Sequence, residues 1–129
     1  MEPTDRRYTR EHEWIRAEGE EAVVGITDYA QSQLGDVAFV ELPAPGRRLD
    51  KGEAFGVVES VKSVADLYAP VAGTVVAVNE ALATAPEEVN HSPYDEGWMI
   101  RIRLQDAADL ETLLDSAAYD AHLAAEGGA

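Results

Sequence analysis

Short β-branched and aromatic runs, cut off by glycine or proline, recur between residues 8 and 104 and leave few folds open to this chain. "VAFVEL" (37–42) runs into Pro43, Pro45 and Gly46, and "TVVAV" (74–78) follows Gly73. Such side chains suit a pleated, half-buried surface, and Gly and Pro punctuate it. Pro70 suits a strand start or an edge, where no ladder donor is needed. "WMIRIRL" (98–104) alternates, which puts Trp98, Ile100, Ile102 and Leu104 on one face. Within "YTREHEWIR" (8–16), Trp14 and Ile15 anchor a first strand, and a turn at 18–21 around Gly19 returns it as "AVVGI" (22–26). Many short strands of this kind build an antiparallel sandwich or barrel.

Helical signals are fewer. Thr27 or Asp28 caps a short helix through "DYAQSQLG", and Gly35 ends it. Residues 79–90 read as short helix and loop, interrupted by Pro86, and "HSPYDEGW" as a turn. From Asp106 the period changes. Leu110, Leu113, Leu114, Ala117 and Ala118 recur at helical spacing, so 106–125 reads as one or two amphipathic helices on a sheet core. Residues 1–7 read as a loose polar lead. The chain of 129 residues fits one domain, with enough length to bury a core without disulfide or metal staples.

Charge and residue usage exclude several functions. With 25 acidic against 10 basic residues the net charge is −15, so the basic footprint of a nucleic-acid or anionic-membrane binder is missing. The absence of cysteine excludes a disulfide, a thiolate metal site and a cysteine nucleophile. Thiol chemistry would need an added cofactor. No apolar run reaches the length of a membrane span, and the polar start resembles no signal or transit peptide, so a cytoplasmic protein is expected. His12, His91 and His122 lie far apart with no ligand spacing, so no metal site is expected and His122 reads as a surface residue. Neither a phosphate-binding loop nor a hydrolase elbow is present, and nothing marks a pair of carboxylates as acid and base.

Lysine is scarce. Lys51 and Lys62 are the only two, and Lys62 interrupts the apolar stretch "GVVESVKSVADLYAPVAGTVVAV" (56–78). Residues 55–61 and 65–68 read as β on either side of it. With no Gly, Asn or Pro at the lysine, propensity draws one continuous strand through it. The ordinary reading of such a lysine is an edge charge that blocks aggregation. Its neighbours Ser60, Val61, Ser63 and Val64 are small, however, and leave the amine open to a large partner. An amine that must form an amide cannot be replaced by a guanidinium, which stays protonated.

The blocks "YTREHEWI", "VGITDYAQSQLGDVAFVELP", "GEAFGVVESVKSVADLYAPVAGTVVAVNEAL" and "VNHSPYDEGWMIRI", in this order, resemble the H protein family of the glycine cleavage system. With the tail they span 8–123. The resemblance implies a mainly β fold, a lipoyl/biotinyl-type flattened β-sandwich with short peripheral helices and a C-terminal helix. It puts Lys62 at a hairpin tip, as the point where lipoate is attached by an amide. It implies a carrier and not an enzyme. In that family the lipoyl arm accepts an aminomethyl group from a pyridoxal-phosphate glycine decarboxylase. The arm presents this group to a tetrahydrofolate-dependent aminomethyltransferase, and is reoxidised by dihydrolipoyl dehydrogenase, an FAD enzyme. A lipoate-attaching enzyme is a further implied partner, and a monomer the implied state.

Residue by residue, the resemblance makes Glu13 of "HEW" and Asp66 of "VKSVAD" the carboxylates near the loaded arm. Glu11 stands where some members line the same cleft. Glu59, three before Lys62, is implied as a mark read by the lipoate-attaching enzyme. The ordinary reading of Glu13, Asp66 and Glu59 is a solvated strand charge. Trp14, Tyr68 and Trp98 read as core or core-edge aromatics. Two alternatives share the lysine. An H-like relay that donates lipoyl groups to other acceptors would use the same residue. A biotin carrier domain typically flanks its lysine with methionines, unlike Val61 and Ser63.

Overall fold

Alternating strands must bury one face each, and two antiparallel sheets do this here. The computed structural model describes residues 2–128, and among them lie nine strands. They are β1 (Arg7–Tyr8), β2 (Glu13–Glu18), β3 (Glu21–Ile26), β4 (Val37–Glu41), β5 (Arg48–Leu49), β6 (Ala54–Ser60), β7 (Val64–Tyr68), β8 (Gly73–Val78) and β9 (Ile100–Leu104). The larger sheet runs β1-β2-β3-β9-β8-β5 and the smaller β4-β6-β7. The core is one cluster drawn from both. It includes Ile15, Val24, Ile100 and Ile102 from the larger sheet and Val40, Val58 and Leu67 from the smaller. The fold is thus the mainly β open sandwich expected, with short helices α1 (Asp28–Leu34), α2 (Glu88–His91) and α3 (Ser116–Leu123). Thr27 caps α1 by accepting from the Ala30 N–H at 3.2 Å.

The larger sheet also buries an outer face. Trp14 and Val23 alternate with Ile15 and Val24, and form a second cluster with Tyr8 and Tyr119. Trp14 is fully buried, and its indole N–H donates to the Pro93 carbonyl at 3.0 Å. Directly across the ladder from Trp14 stands Gly25. A Cβ there would lie 2.7 Å from the indole ring, so no other residue fits without shifting the tryptophan. Gly25→Ala is expected to destabilise the protein by about 1–3 kcal/mol through overpacking, read as a lower urea midpoint at unchanged slope.

Several expectations need correction. The first strand is split, because residues 9–12 form a turn between β1 and β2. Thr9 N–H donates to the Glu13 carbonyl at 2.9 Å, and His12 adopts a left-handed φ of 73°. The polar lead is held down: Arg6 is buried, 4.7 Å over the Trp14 ring, and donates to the Tyr94 carbonyl. Trp98 precedes β9 and packs in the outer cluster, whereas Ile100, Ile102 and Leu104 face the main core. The aliphatic stripe anchors the tail only in part: Leu110 and Leu113 pack on the main core and Leu114 on the outer cluster. Ala117 and Ala118 are exposed, and Tyr119 is fully buried, stacked on Tyr8 at 4.7 Å.

Candidate functional site

Strands β6 and β7 form an antiparallel hairpin, with Glu59 opposite Val64 and Lys62 at the tip. The continuous strand expected from propensity is therefore broken at 61–63. The cause is a serine. Ser60 Oγ accepts from the Lys62 N–H at 3.3 Å and the Ser63 N–H at 3.1 Å, and Ser60 N–H donates to the Ser63 carbonyl at 2.8 Å. A hydroxyl thus supplies the turn that Asn or Gly usually makes. The tip is pinned from outside by Val61 N–H, which donates to the Asp36 carbonyl at 3.1 Å. Lys62 is exposed, and its stem lies over Gly35 at the end of α1: a Cβ on that glycine would come within 3.1 Å of Lys62 Cε. Ser60→Ala is expected to cost about 1 kcal/mol locally and to speed amide hydrogen exchange at Lys62 and Ser63. Unchanged exchange at these two amides would contradict the serine's role.

Beside the hairpin lies a cleft of about 260 Å³. Helix α1 supplies one wall through Tyr29, Ala30, Gln33 and Leu34, and the hairpin supplies the other through Ser63, Ala65, Asp66 and Leu67. The β1–β2 turn completes it with Glu11 and His12, and β2 with Glu13. The structure therefore brings three of the expected residues together. Glu13 lines the cleft as a buried residue, 3% exposed. Asp66 alternates with buried Leu67 on edge strand β7, and so stands at the exposed rim. Lys62 adjoins the cleft through Ser63. Glu11 also lines it, as an exposed residue. Glu59 is elsewhere. It sits exposed in the smaller sheet, in register between Phe39 and Val64, both large exposed apolar residues.

Glu13 is the unusual group. Its Oε1 accepts from the Thr9 hydroxyl at 2.7 Å and its Oε2 from the Tyr68 N–H at 3.3 Å. Burial pushes its carboxyl up to about 7, against those two hydrogen bonds, and the charge of Glu11 adds to the rise. Among the described residues, no cation is one of the groups that act on it. This is a buried carboxylate with room beside it and without a positive partner among those residues.

Sequence reasoning missed the other walls. Tyr29 and Leu34 carry no signal beyond their place on a short helix. His12 packs against the Tyr29 ring at 4.7 Å, and its Nδ1 lies 2.8 Å from the Tyr119 hydroxyl, itself 2.8 Å from Thr27 Oγ1. Burial holds His12 below its ordinary range, with Glu126 opposing. His122 is not a surface residue. Its side chain is 14% exposed, and its Nε2 contacts the Arg10 carbonyl at 3.1 Å and Glu126 Oε2 at 2.7 Å. His12 and His122, distant in sequence, have ring centroids 5.7 Å apart. His91 stays apart from them, exposed beside Glu88.

The model of the family "Glycine cleavage H-protein" matches residues 6–126. The chain is 60% identical over 119 residues to the glycine cleavage system H protein of Anaeromyxobacter sp. (strain K), covering 92% of this chain and 93% of that one. It is 58% identical over 119 residues to the protein of the same name from Symbiobacterium thermophilum, with the same two coverages. Its fold matches the crystal structure of a glycine cleavage system H protein from Mycobacterium marinum with a TM-score of 0.85 and 37% identity, over 98% of this chain and 99% of that one. The matched span takes in both sheets, the lysine-bearing hairpin and the cleft beside it, and on this ground the chain belongs to the glycine cleavage H-protein family.

Proposed function

We propose that this chain is the lipoyl-bearing shuttle of glycine cleavage, with lipoate on Lys62 and the cleft as a shelter for the arm's cargo. The observation that carries this reading is Glu13, a buried carboxylate on which no cation acts among the described residues, lining a cleft beside an exposed lysine. The residues fit the group. The lysine stands at a rigid tip between small side chains, where an attaching enzyme can reach its amine. Ala30, Leu34 and Leu67 offer apolar walls to an aliphatic arm. Lipoate, when attached, supplies a dithiolane that takes up a one-carbon amine and gives it up again with a change of redox state.

The chain's own residues then have distinct tasks. Lys62 gives its amine to the amide bond, and arginine cannot do so. With its carboxyl pushed up to about 7, Glu13 is partly protonated near neutral pH while no cation among the described residues acts on it. A primary ammonium entering the cleft favours the ionised carboxylate and releases that proton. Asp66 at the rim offers a second, solvated acceptor. The apolar walls shield one side of the cargo from water, which would slow its hydrolytic loss. Glu59, on the outer face, is left for recognition by the lipoate-attaching enzyme. Glycine decarboxylase, the aminomethyltransferase and dihydrolipoyl dehydrogenase are the partners that meet the tip. A lipoate relay needs the hairpin but has no use for a buried acceptor of amines, so Glu13 favours the shuttle.

Intact-mass and peptide-mass spectrometry of protein from its own cells tests the attachment. One lipoyl group on the Lys62 peptide is expected. Unmodified Lys62 in lipoate-replete cells would contradict it, and a biotin mass would identify a biotin carrier.

A further inference from the structure

We propose that His12, His122 and Glu126 form a site for a divalent transition-metal cation of the zinc class. Their ligand atoms all lie within 4.8 Å of one another, although the two segments are more than a hundred residues apart in sequence. His12 Nε2 is 3.2 Å from Glu126 Oε1, and His122 Nε2 is 2.7 Å from Glu126 Oε2. Tetrahedral zinc bound by nitrogen and oxygen spaces its ligands by roughly 3.5 Å, so small side-chain rotations complete the set. Two imidazoles and a carboxylate match this ion in softness and number.

Two features point to a built site and not a chance meeting of side chains. First, His122 and Glu126 are four residues apart on one helical face, and they close over a His12 held at a left-handed φ of 73°. Second, the far nitrogen of His12 is already oriented. Its Nδ1 meets the Tyr119 hydroxyl at 2.8 Å, and that hydroxyl meets Thr27 Oγ1 at 2.8 Å. Both hydroxyls can donate or accept, so they allow the tautomer that leaves the Nε2 lone pair for a metal, which then displaces the proton shared with the Glu126 carboxylate. The Arg10 carbonyl, 3.1 Å from His122 Nε2, is a further oxygen at the edge of the cluster. The net charge of −15 favours cations in general.

One group opposes binding. Arg10 Nη1 is 3.5 Å from His122 Nδ1, the nitrogen that must carry a proton once Nε2 is ligated. Arg10 is exposed and can swing aside, so removing it should help. The bound ion would tie the C-terminal turn to the β1–β2 turn and brace the His12 wall of the cleft.

The test is calorimetric titration of Zn²⁺ into the metal-stripped, unlipoylated full chain near neutral pH, with Co²⁺ absorption reporting geometry. Saturable one-to-one binding with tetrahedral Co²⁺ bands is expected. His122→Ala and Glu126→Gln should each weaken it by roughly tenfold or more, and Arg10→Ala should tighten it. Far-UV circular dichroism verifies that each variant is folded; Glu126→Gln preserves shape and serves as the control for His122→Ala. Absence of saturable binding overturns the site, as does binding that both ligand variants leave unchanged, which would spread the metal over exposed carboxylates. Neither result bears on the lipoyl reading, because the chain tested is unmodified.

Discussion

Lys62→Arg is expected to leave the protein folded, without a lipoyl group, and unable to support glycine decarboxylation above background. The turn that carries Lys62 is held by the Ser60 hydroxyl, by backbone bonds and by the Asp36 carbonyl, and none of these involves the lysine side chain. The side chain is exposed, so its replacement by another long cation should change stability by no more than about 0.5 kcal/mol. Chemistry is another matter. Attachment needs a free amine as nucleophile, and the guanidinium remains protonated at any accessible pH. The check is glycine-dependent bicarbonate exchange with the lipoate-attaching enzyme and glycine decarboxylase supplied. Exchange retained by the arginine variant would remove Lys62 from the mechanism.

The second large effect concerns Glu13 and pH. Its carboxyl titrates at about 7 in the folded chain against 4.5 as the ordinary value, because burial disfavours the charge. Between these values the native state binds more protons than the unfolded state. Its contribution to stability is therefore intact below about 4.5 and is lost as pH rises through about 7. Above that range the ionised Glu13 costs roughly 3 kcal/mol, since a tenfold change in acidity between the folded and unfolded chain corresponds to about 1.4 kcal/mol. Glu13→Gln keeps an oxygen for the Tyr68 N–H and carries no charge. Wild type should thus lose more stability than the variant between about pH 5 and about pH 8, by an amount on the order of 3 kcal/mol. The other carboxylates are common to both proteins and cancel in the difference. Urea denaturation at the two pH values measures it, and a difference that does not change with pH would show that Glu13 is not buried as described. The same substitution should weaken retention of the cargo amine. A lost hydrogen bond to a charged group, about 1.5–3 kcal/mol, shortens the lifetime of the loaded form by roughly ten- to a hundredfold. Unchanged release of formaldehyde and ammonia would argue against the cleft as a shelter.

Much of the sandwich was legible because strand faces are a local property. The alternation that placed Ile100 and Ile102 inward holds, and so does the Thr27 cap of α1. The hairpin tip was not legible from the residues alone. Its turn rests on one serine hydroxyl and on a carbonyl from Asp36, which approaches only once α1 is folded. The resemblance supplied it. In the same way the letter E at position 13 said nothing of burial. The left-handed turn at His12, the Thr9 hydroxyl and the Tyr68 amide together create the environment of that carboxylate. In the tail, reading the aliphatic period overlooked Tyr119, whose anchoring depends on stacking with Tyr8 at the other end of the chain. The meeting of His12, His122 and Glu126 was hidden for a related reason. Ligand spacing in sequence sees only neighbours, and this cluster joins the two ends.

The role as a shuttle is tested most directly by the mass of the lipoylated chain before and after incubation with glycine and glycine decarboxylase. A glycine-dependent mass gain confined to the Lys62 peptide is the expected result. A lipoylated chain that gains no mass there would contradict the shuttle and leave a lipoate relay as the reading of the hairpin.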